Sequence, residues 1–127
     1  FLFDAGALFV HQNNNDWCKL CFEYSPEKLP LIVSVVTRDV SDDANGAAID
    51  SSSVHLRISK YSSVIAFHYS VDGGKYWTLH RAFSMRDPTA AMSIGFLAQA
   101  PTGETCTANF SDVSFAEKRL LNLRDGS

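Results

Sequence analysis

The segment Trp17-Cys18-Lys19-Leu20-Cys21-Phe22-Glu23 concentrates the residue types that do chemistry: two thiols at CxxC spacing, an amine, a carboxylate and an indole. Thiols at that spacing are zinc ligands or a redox pair when both reach one point. Here the segment reads as a strand, and residues three apart on a strand point to opposite faces. Thiols on opposite faces share neither a metal nor a disulfide. No second CxxC and no His pair at ligand spacing completes a zinc set. Both cysteines therefore read as small, half-buried apolar residues. Cys106 makes the count odd, so the three cannot all pair within the chain. That favours a reducing, cytoplasmic setting over a disulfide framework.

Other reactive residue types lack a partner. His11, His55, His68 and His80 are scattered, no Ser or Cys nucleophile motif accompanies them, and no triad is defined, so each reads as structural. Asp39, Asp42, Asp43, Asn45 and Asp50 supply the hard oxygen ligands that Ca²⁺ prefers, but not in EF-hand order, and they read as a solvated acidic stretch. Ser70-Val71-Asp72-Gly73-Gly74-Lys75-Tyr76-Trp77 fits the Asp-box pattern S-x-D-x-G-x-x-W. Its physics is local: Asp72 accepts backbone N–H bonds inside the turn, Gly74 supplies an unusual φ, and Trp77 packs under the hairpin. Gly-rich phosphate loops are missing. Neither a cofactor nor a metal site is implied.

The elements that position these residues are short and alternate with period two. Residues 7–12, 17–24, 31–38, 54–60, 64–71, 77–83, 92–99 and 105–115 read as strands, separated by turn residues such as Asn13-Asn14-Asn15-Asp16, Ser25-Pro26 and Asp72-Gly73-Gly74. Only 116–124 has helical composition. Eight strands without intervening helices mean an antiparallel β-sandwich or barrel. The break at 39–53 is long and acidic and reads as a crossover or functional loop. Alternation assigns the core to Leu8, Val10, Leu20, Phe22, Val33, Val35, Leu56, Ile58, Ile65, Phe67, Ile94, Phe96 and Phe110. With 127 residues the chain has the length of one domain. Eleven Lys and Arg against fourteen Asp and Glu leave no basic excess, which excludes nucleic acid as the main partner. No apolar run approaches the roughly 18 residues of a membrane span, so no membrane association is expected.

Several segments occur together in a telling order. They are Phe-Asp-Ala-Gly-Ala-Leu (3–8), Asp-Trp-Cys-Lys-Leu-Cys-Phe-Glu-Tyr (16–24), Val-Ser-Val-Val-Thr (33–37), Ser-Asp-Asp (41–43), Tyr-Ser-Val-Asp-Gly-Gly-Lys-Tyr-Trp (69–77) and Ile-Gly-Phe-Leu-Ala-Gln-Ala-Pro-Thr-Gly (94–103). This series resembles the concanavalin A-like jelly-roll family of unknown function that includes the "regulation of enolase" proteins. The likeness runs from about Phe3 to Phe115. Where many members have Asp-Gln-Ala-Gly-Leu, this chain has Asp4-Ala5-Gly6-Ala7-Leu8, and where many have Ser-Asp-Trp it has Ser41-Asp42-Asp43, so roles tied to that Gln or Trp do not carry over. The family's domain usually begins with further strands before the Asp-Ala-Gly segment. The resemblance thus implies that 1–115 is the C-terminal two-thirds of a jelly roll, followed by a short helical or irregular tail at 116–127.

Jelly rolls of this type bind or cut sugars on a concave sheet face. On the strand at 17–24, Trp17, Lys19, Cys21 and Glu23 share one face, the expected groove wall, and Cys18, Leu20, Phe22 and Tyr24 share the core face. The reading that follows is a non-catalytic binding or regulatory module. Trp17 is a stacking platform, Lys19, Glu23, Arg81 and Gln99 orient the ligand, and the ligand is a carbohydrate or a metabolic-enzyme partner. The alternative is a sugar-active enzyme with Glu23 as one catalytic carboxylate. Glycosidases need two carboxyl groups about 5 to 9 Å apart, and Glu23 has only Cys21 and Lys19 at the i−2 and i−4 offsets. A second carboxylate would come from an upstream segment or from Asp39 to Asp50.

Overall fold

Alternating β-branched and aromatic side chains build two stacked sheets. The computed structural model describes residues 1–127 and contains β1 (Ala5–Asn13), β2 (Asp16–Tyr24), β3 (Pro30–Arg38), β4 (Val40–Ala48), β5 (His55–Tyr61), β6 (Val64–Ser70), β7 (Thr78–Phe83) and β8 (Ser93–Gln99). Five strands form one sheet in the order β4-β3-β2-β1-β8, and three form the other in the order β5-β6-β7. Every paired neighbour is antiparallel. The fold is an all-β, jelly-roll-like antiparallel sandwich, as the alternation implies. No helix is long and apolar enough to cross a membrane.

The core lies between the sheets. Val10, Cys18, Leu20, Ile32 and Val36 come from the large sheet, Ile65, Phe67 and Phe83 from the small one, and Ile49 and Met85 from the crossings between them. Phe67 is fully buried and meets Phe83 edge-on at 4.9 Å between centroids. Burial of such a ring contributes on the order of 1.5–3 kcal/mol.

Polar ties reinforce the stacking. The buried Ser34 hydroxyl shares a 2.8 Å hydrogen bond with His80 Nε2 across the sandwich, which satisfies an otherwise costly group. Arg86 clasps two turns at once: Nε and Nη2 donate to the nearly buried Asp16 carboxylate at 2.7 and 2.6 Å, and Nη1 and Nη2 to Asp39. Those hydrogen bonds from Arg86 hold Asp16 below the usual carboxylate range, against a smaller opposing effect of burial. The Asp-box turn forms as its chemistry requires. Asp72 Oδ1 accepts from the Ser70 hydroxyl at 2.7 Å and from the N–H groups of Lys75 and Tyr76 at 3.2 and 3.0 Å, with Gly73 and Gly74 at φ 77° and 85°.

The structure corrects four expectations. The stretch 39–53 is largely β4, an edge strand joined to β3 by a tight turn at Asp39, whose φ of 64° is one Asp tolerates. Residues 105–115 form no ladder, while the tail at 116–127 takes the irregular of its two expected forms. Val33 and Val35 face away from the small sheet, because Ser34 pairs with the inward Leu20 and so puts Ile32, Ser34 and Val36 inside. Ile94, Phe96 and Phe110 are 63%, 52% and 39% exposed rather than core. β8 lies beyond β1 at the sheet edge, and three strands are too few to cover it.

Candidate functional site

The face of the five-stranded sheet turned away from the small sheet collects most of the expected residues. Strand alternation puts Trp17, Lys19, Cys21 and Glu23 of β2 there. Register then places Phe9 beside Lys19, Ala7 beside Cys21 and Ala5 beside Glu23, with Gln99 of β8 opposite Ala5. Ala5, Ala7, Cys21 and Val33 form a buried floor. Their small side chains leave room for long neighbours to lie across them. Lys19 uses that room: its Nζ reaches over β1 and donates to Gln99 Oε1 at 2.6 Å. Gln99 Nε2 donates in turn to the Phe3 carbonyl at 2.9 Å and to Glu23 Oε2 at 3.4 Å. Lys19, Gln99 and Glu23 are therefore one hydrogen-bonded row, tied to the N-terminal segment.

An aromatic group occupies the other end of the face. The Trp17 ring lies 5.8 Å from Phe9, and Phe9 lies 5.9 Å from His11, all tilted. From Trp17 to Glu23 the strand runs about 20 Å at roughly 3.3 Å per residue. That length suits an extended ligand touching the indole at one end and the polar row at the other. Glu23 is half-buried, and burial lifts its carboxyl above the usual range. Lys19 works against that shift, while the negative charge of Asp43 adds to it.

Asp43 is the residue that the sequence placed in a loop. Adjacent carboxylates on a strand must face opposite ways. Asp43 pairs with Val35 and shares the groove face, while Asp42 pairs with Val36 and faces the small sheet. Had 40–48 been recognised as a strand, the Asp42-Asp43 doublet would have signalled this. Phe9 and His11 were also unmarked as site residues, although their place on an alternating strand beside the first turn was visible.

Arg81 is the correction among the site residues. It sits on β7 of the other sheet, donates to the Asp42 carboxylate at 3.1 Å and lies over Phe83 at 5.4 Å, so it never reaches the groove. Trp17, Lys19, Glu23 and Gln99 are brought together. The acidic residues of 39–50 do not converge: Asp39 is held by Arg86, Asp42 by Arg81 and Arg38, and Asp43 faces the groove. No group of three His, Cys, Asp or Glu side chains has metal-binding geometry. Cys18 lies in the inter-sheet core and Cys21 in the groove floor, and all three cysteines are free.

Fold and face together define a two-sheet β-sandwich whose larger sheet carries an aromatic cluster and a polar hydrogen-bonded row on its outer face. Residues 1–118 match the family described as protein of unknown function (DUF1349), and the chain belongs to that family. It is also similar to a solved structure described as a functionally unknown protein from Saccharomyces cerevisiae, with a TM-score of 0.69 and 24% identity over 80% of this chain. That likeness bears on the fold alone. The match spans 54% of the yeast chain, about half its length. No curated protein matches.

Proposed function

We propose that this domain is a non-catalytic binding module that holds a carbohydrate along the outer face of its five-stranded sheet. The observation carrying this reading is the continuity of one face: an indole platform at Trp17 beside Phe9, then the Lys19–Gln99–Glu23 row, over a floor of small residues. Sugars present an apolar ring face and a rim of hydroxyls, and aromatic stacking beside fixed donors and acceptors matches both. Resemblance to concanavalin A-like jelly rolls supports the same choice. A cytoplasmic setting goes with it, supported by three free cysteines.

One observation favours a second reading, a sugar-active enzyme. Asp43 shares the face with Glu23 and helps keep the Glu23 carboxyl above its usual range, which is the condition a general acid needs. Lys19 opposes that shift and its row holds Glu23 in place, which is why the binding reading is preferred.

A glycan array run beside turnover assays on the same sugars separates the two, with Trp17→Ala, Glu23→Gln and Asp43→Asn as controls. Binding lost in Trp17→Ala, without turnover by the unaltered protein, is the expected result. Turnover abolished by both Glu23→Gln and Asp43→Asn would make it an enzyme. If no glycan binds, the carbohydrate reading falls, and the face is left to the metabolic-enzyme partner that the "regulation of enolase" resemblance implies.

A further inference from the structure

The five-stranded sheet ends in two free edges, β4 and β8, and the three-stranded sheet in two more, β5 and β7. A free edge is an open row of N–H and C=O groups, which folded proteins blunt with charge, Pro or a bulge. β4 carries Asp42 and Asp43, β5 carries Arg57 and Lys60, and β7 carries Arg81. β8, from Ser93 to Gln99, carries neither charge nor Pro. Its ladder with β1 runs without a register shift from His11 opposite Ser93 to Ala5 opposite Gln99, so no bulge turns it aside. None of the backbone hydrogen bonds outside the strands reaches residues 93–99. β8 is the unprotected edge.

That edge is also apolar on its inner side. Ile94 and Phe96 pair with Val10 and Leu8 and so face the inter-sheet side, yet they are 63% and 52% exposed. Phe110 lies beside Gly6 and 4.8 Å from the Phe96 ring, and is itself 39% exposed. The sequence of the strand is self-complementary. Paired antiparallel with a second β8 about Phe96, it sets Ile94 opposite Ala98, Gly95 opposite Leu97, and Phe96 opposite its own counterpart. Each large side chain then faces a small one, apart from the central aromatic pair, which is itself favourable. A Cβ at Gly95 would meet nothing within 4 Å, so that position has open space for the Leu97 that comes opposite it.

We propose that β8 is a dimer edge, where a second copy of this chain adds its own β8 antiparallel in the register centred on Phe96. Two five-stranded sheets then become one of ten strands. The contact uses the same edge on both copies and so closes at two, and the charges on the other edges oppose further growth. At roughly 200 Å² for a whole large apolar side chain, the exposed parts of Ile94, Phe96 and Phe110 supply about 300 Å² per copy. Stable complexes bury about 800 Å² per partner. The edge backbone narrows that gap without closing it, so the dimer is reversible and of micromolar affinity.

Sedimentation velocity of the 127-residue protein from micromolar to sub-millimolar concentration tests this. The expected result is a monomer–dimer equilibrium without larger species. Ile94→Lys should weaken association by at least about tenfold, because pairing would bury an uncompensated charge. If its urea midpoint shows that this variant has weakened the fold, Ala98→Lys, also at an exposed position, takes its place. Register is read by cross-linking in a Cys106→Ser background. Mixed Ile94→Cys and Ala98→Cys chains should form a disulfide-linked dimer on mild oxidation. Neither variant alone should, since like positions then lie at least about 13 Å apart, four residues at roughly 3.3 Å each, beyond disulfide reach. A strict monomer throughout, an open-ended assembly, a dimer that both lysine variants leave intact, or cross-links of another register would overturn the proposal.

Discussion

Labelling of the three cysteines in the native state reads out which way β2 faces and how its groove floor is covered. Cys18 and Cys21 are fully buried, and burial pushes each thiol up to about 12 from an ordinary value of 9.0. At pH 8 a thiol of pKa 12 is ionised to about one part in 10⁴, against roughly one part in ten for an ordinary thiol, and only the thiolate reacts. Ionisation alone therefore slows both by about a thousandfold, before the loss of access is counted. Aromatic disulfide titration with mass mapping should find the half-buried Cys106 modified first and the other two only on unfolding. Cys21 belongs to the small-residue floor that the Lys19–Gln99 arm crosses at β1, whereas Cys18 lies between the sheets. The double variant Lys19→Ala/Gln99→Ala should then raise the Cys21 rate by at least about tenfold and leave Cys18 protected, since opening the cover restores access and solvation only on that face. Rapid modification of Cys21 in the unaltered protein, equal acceleration of both thiols, or a Cys18–Cys21 disulfide would refute the facing of β2.

Three further outcomes follow from the packing. Gly46→Ala should destabilise the domain by about 1–3 kcal/mol in urea titration, because a Cβ there would stand 2.6 Å from His80 Nδ1 and 3.0 Å from the Ile32 carbonyl, while Ser34 holds the His80 ring in place. Phe67→Ala should cost about 3–5 kcal/mol in the same assay, as a fully buried ring facing Phe83 is lost. Burial holds His68 and His80 below the ordinary imidazole range. Arg57 adds to the shift at His68 and Arg81 to that at His80, while the Leu123 carbonyl and Asp125 oppose it at His68. The unfolded chain thus takes up protons near 6.5 before the folded one does, so stability from this source is complete above that pH and falls as the pH drops below it. The urea midpoint should decline from pH 7 to pH 5, and His80→Gln should flatten the decline. The lowered carboxyls of Asp16 and Asp72 act near pH 4 and below, outside that window.

Seven of the eight strands were legible because alternation and turn residues coincided, as at Asn13-Asn14-Asn15-Asp16 and Tyr61-Ser62-Ser63. β4 was not, because Val40-Ser-Asp-Asp-Ala-Asn-Gly-Ala-Ala has neither β-branched alternation nor a buried face. It is a strand because β3 offers it an open ladder, and its charges suit an edge. Residues 105–115 carry strand-like types but find no partner, which only tertiary structure decides. In β3 the β-branched residues lie on both faces, so periodicity could not set its phase; the pairing of Ser34 with Leu20 did. The groove residues of β2 were readable from alternation alone, and Gln99 joins them through the β8 register. Arg81 was misplaced because alternation within β7 says nothing about which sheet the strand joins.

The most direct test of the binding face is a map of amide and indole shifts on titration with β-linked hexasaccharides, taking cellohexaose, laminarihexaose and chitohexaose in turn. The account predicts that at least one of them moves the Trp17 indole together with the amides of Lys19, Glu23 and Gln99, leaves β5 to β7 unmoved, and loses its effect in Trp17→Ala. Shifts confined to the three-stranded sheet, or a response unchanged by Trp17→Ala, would contradict it.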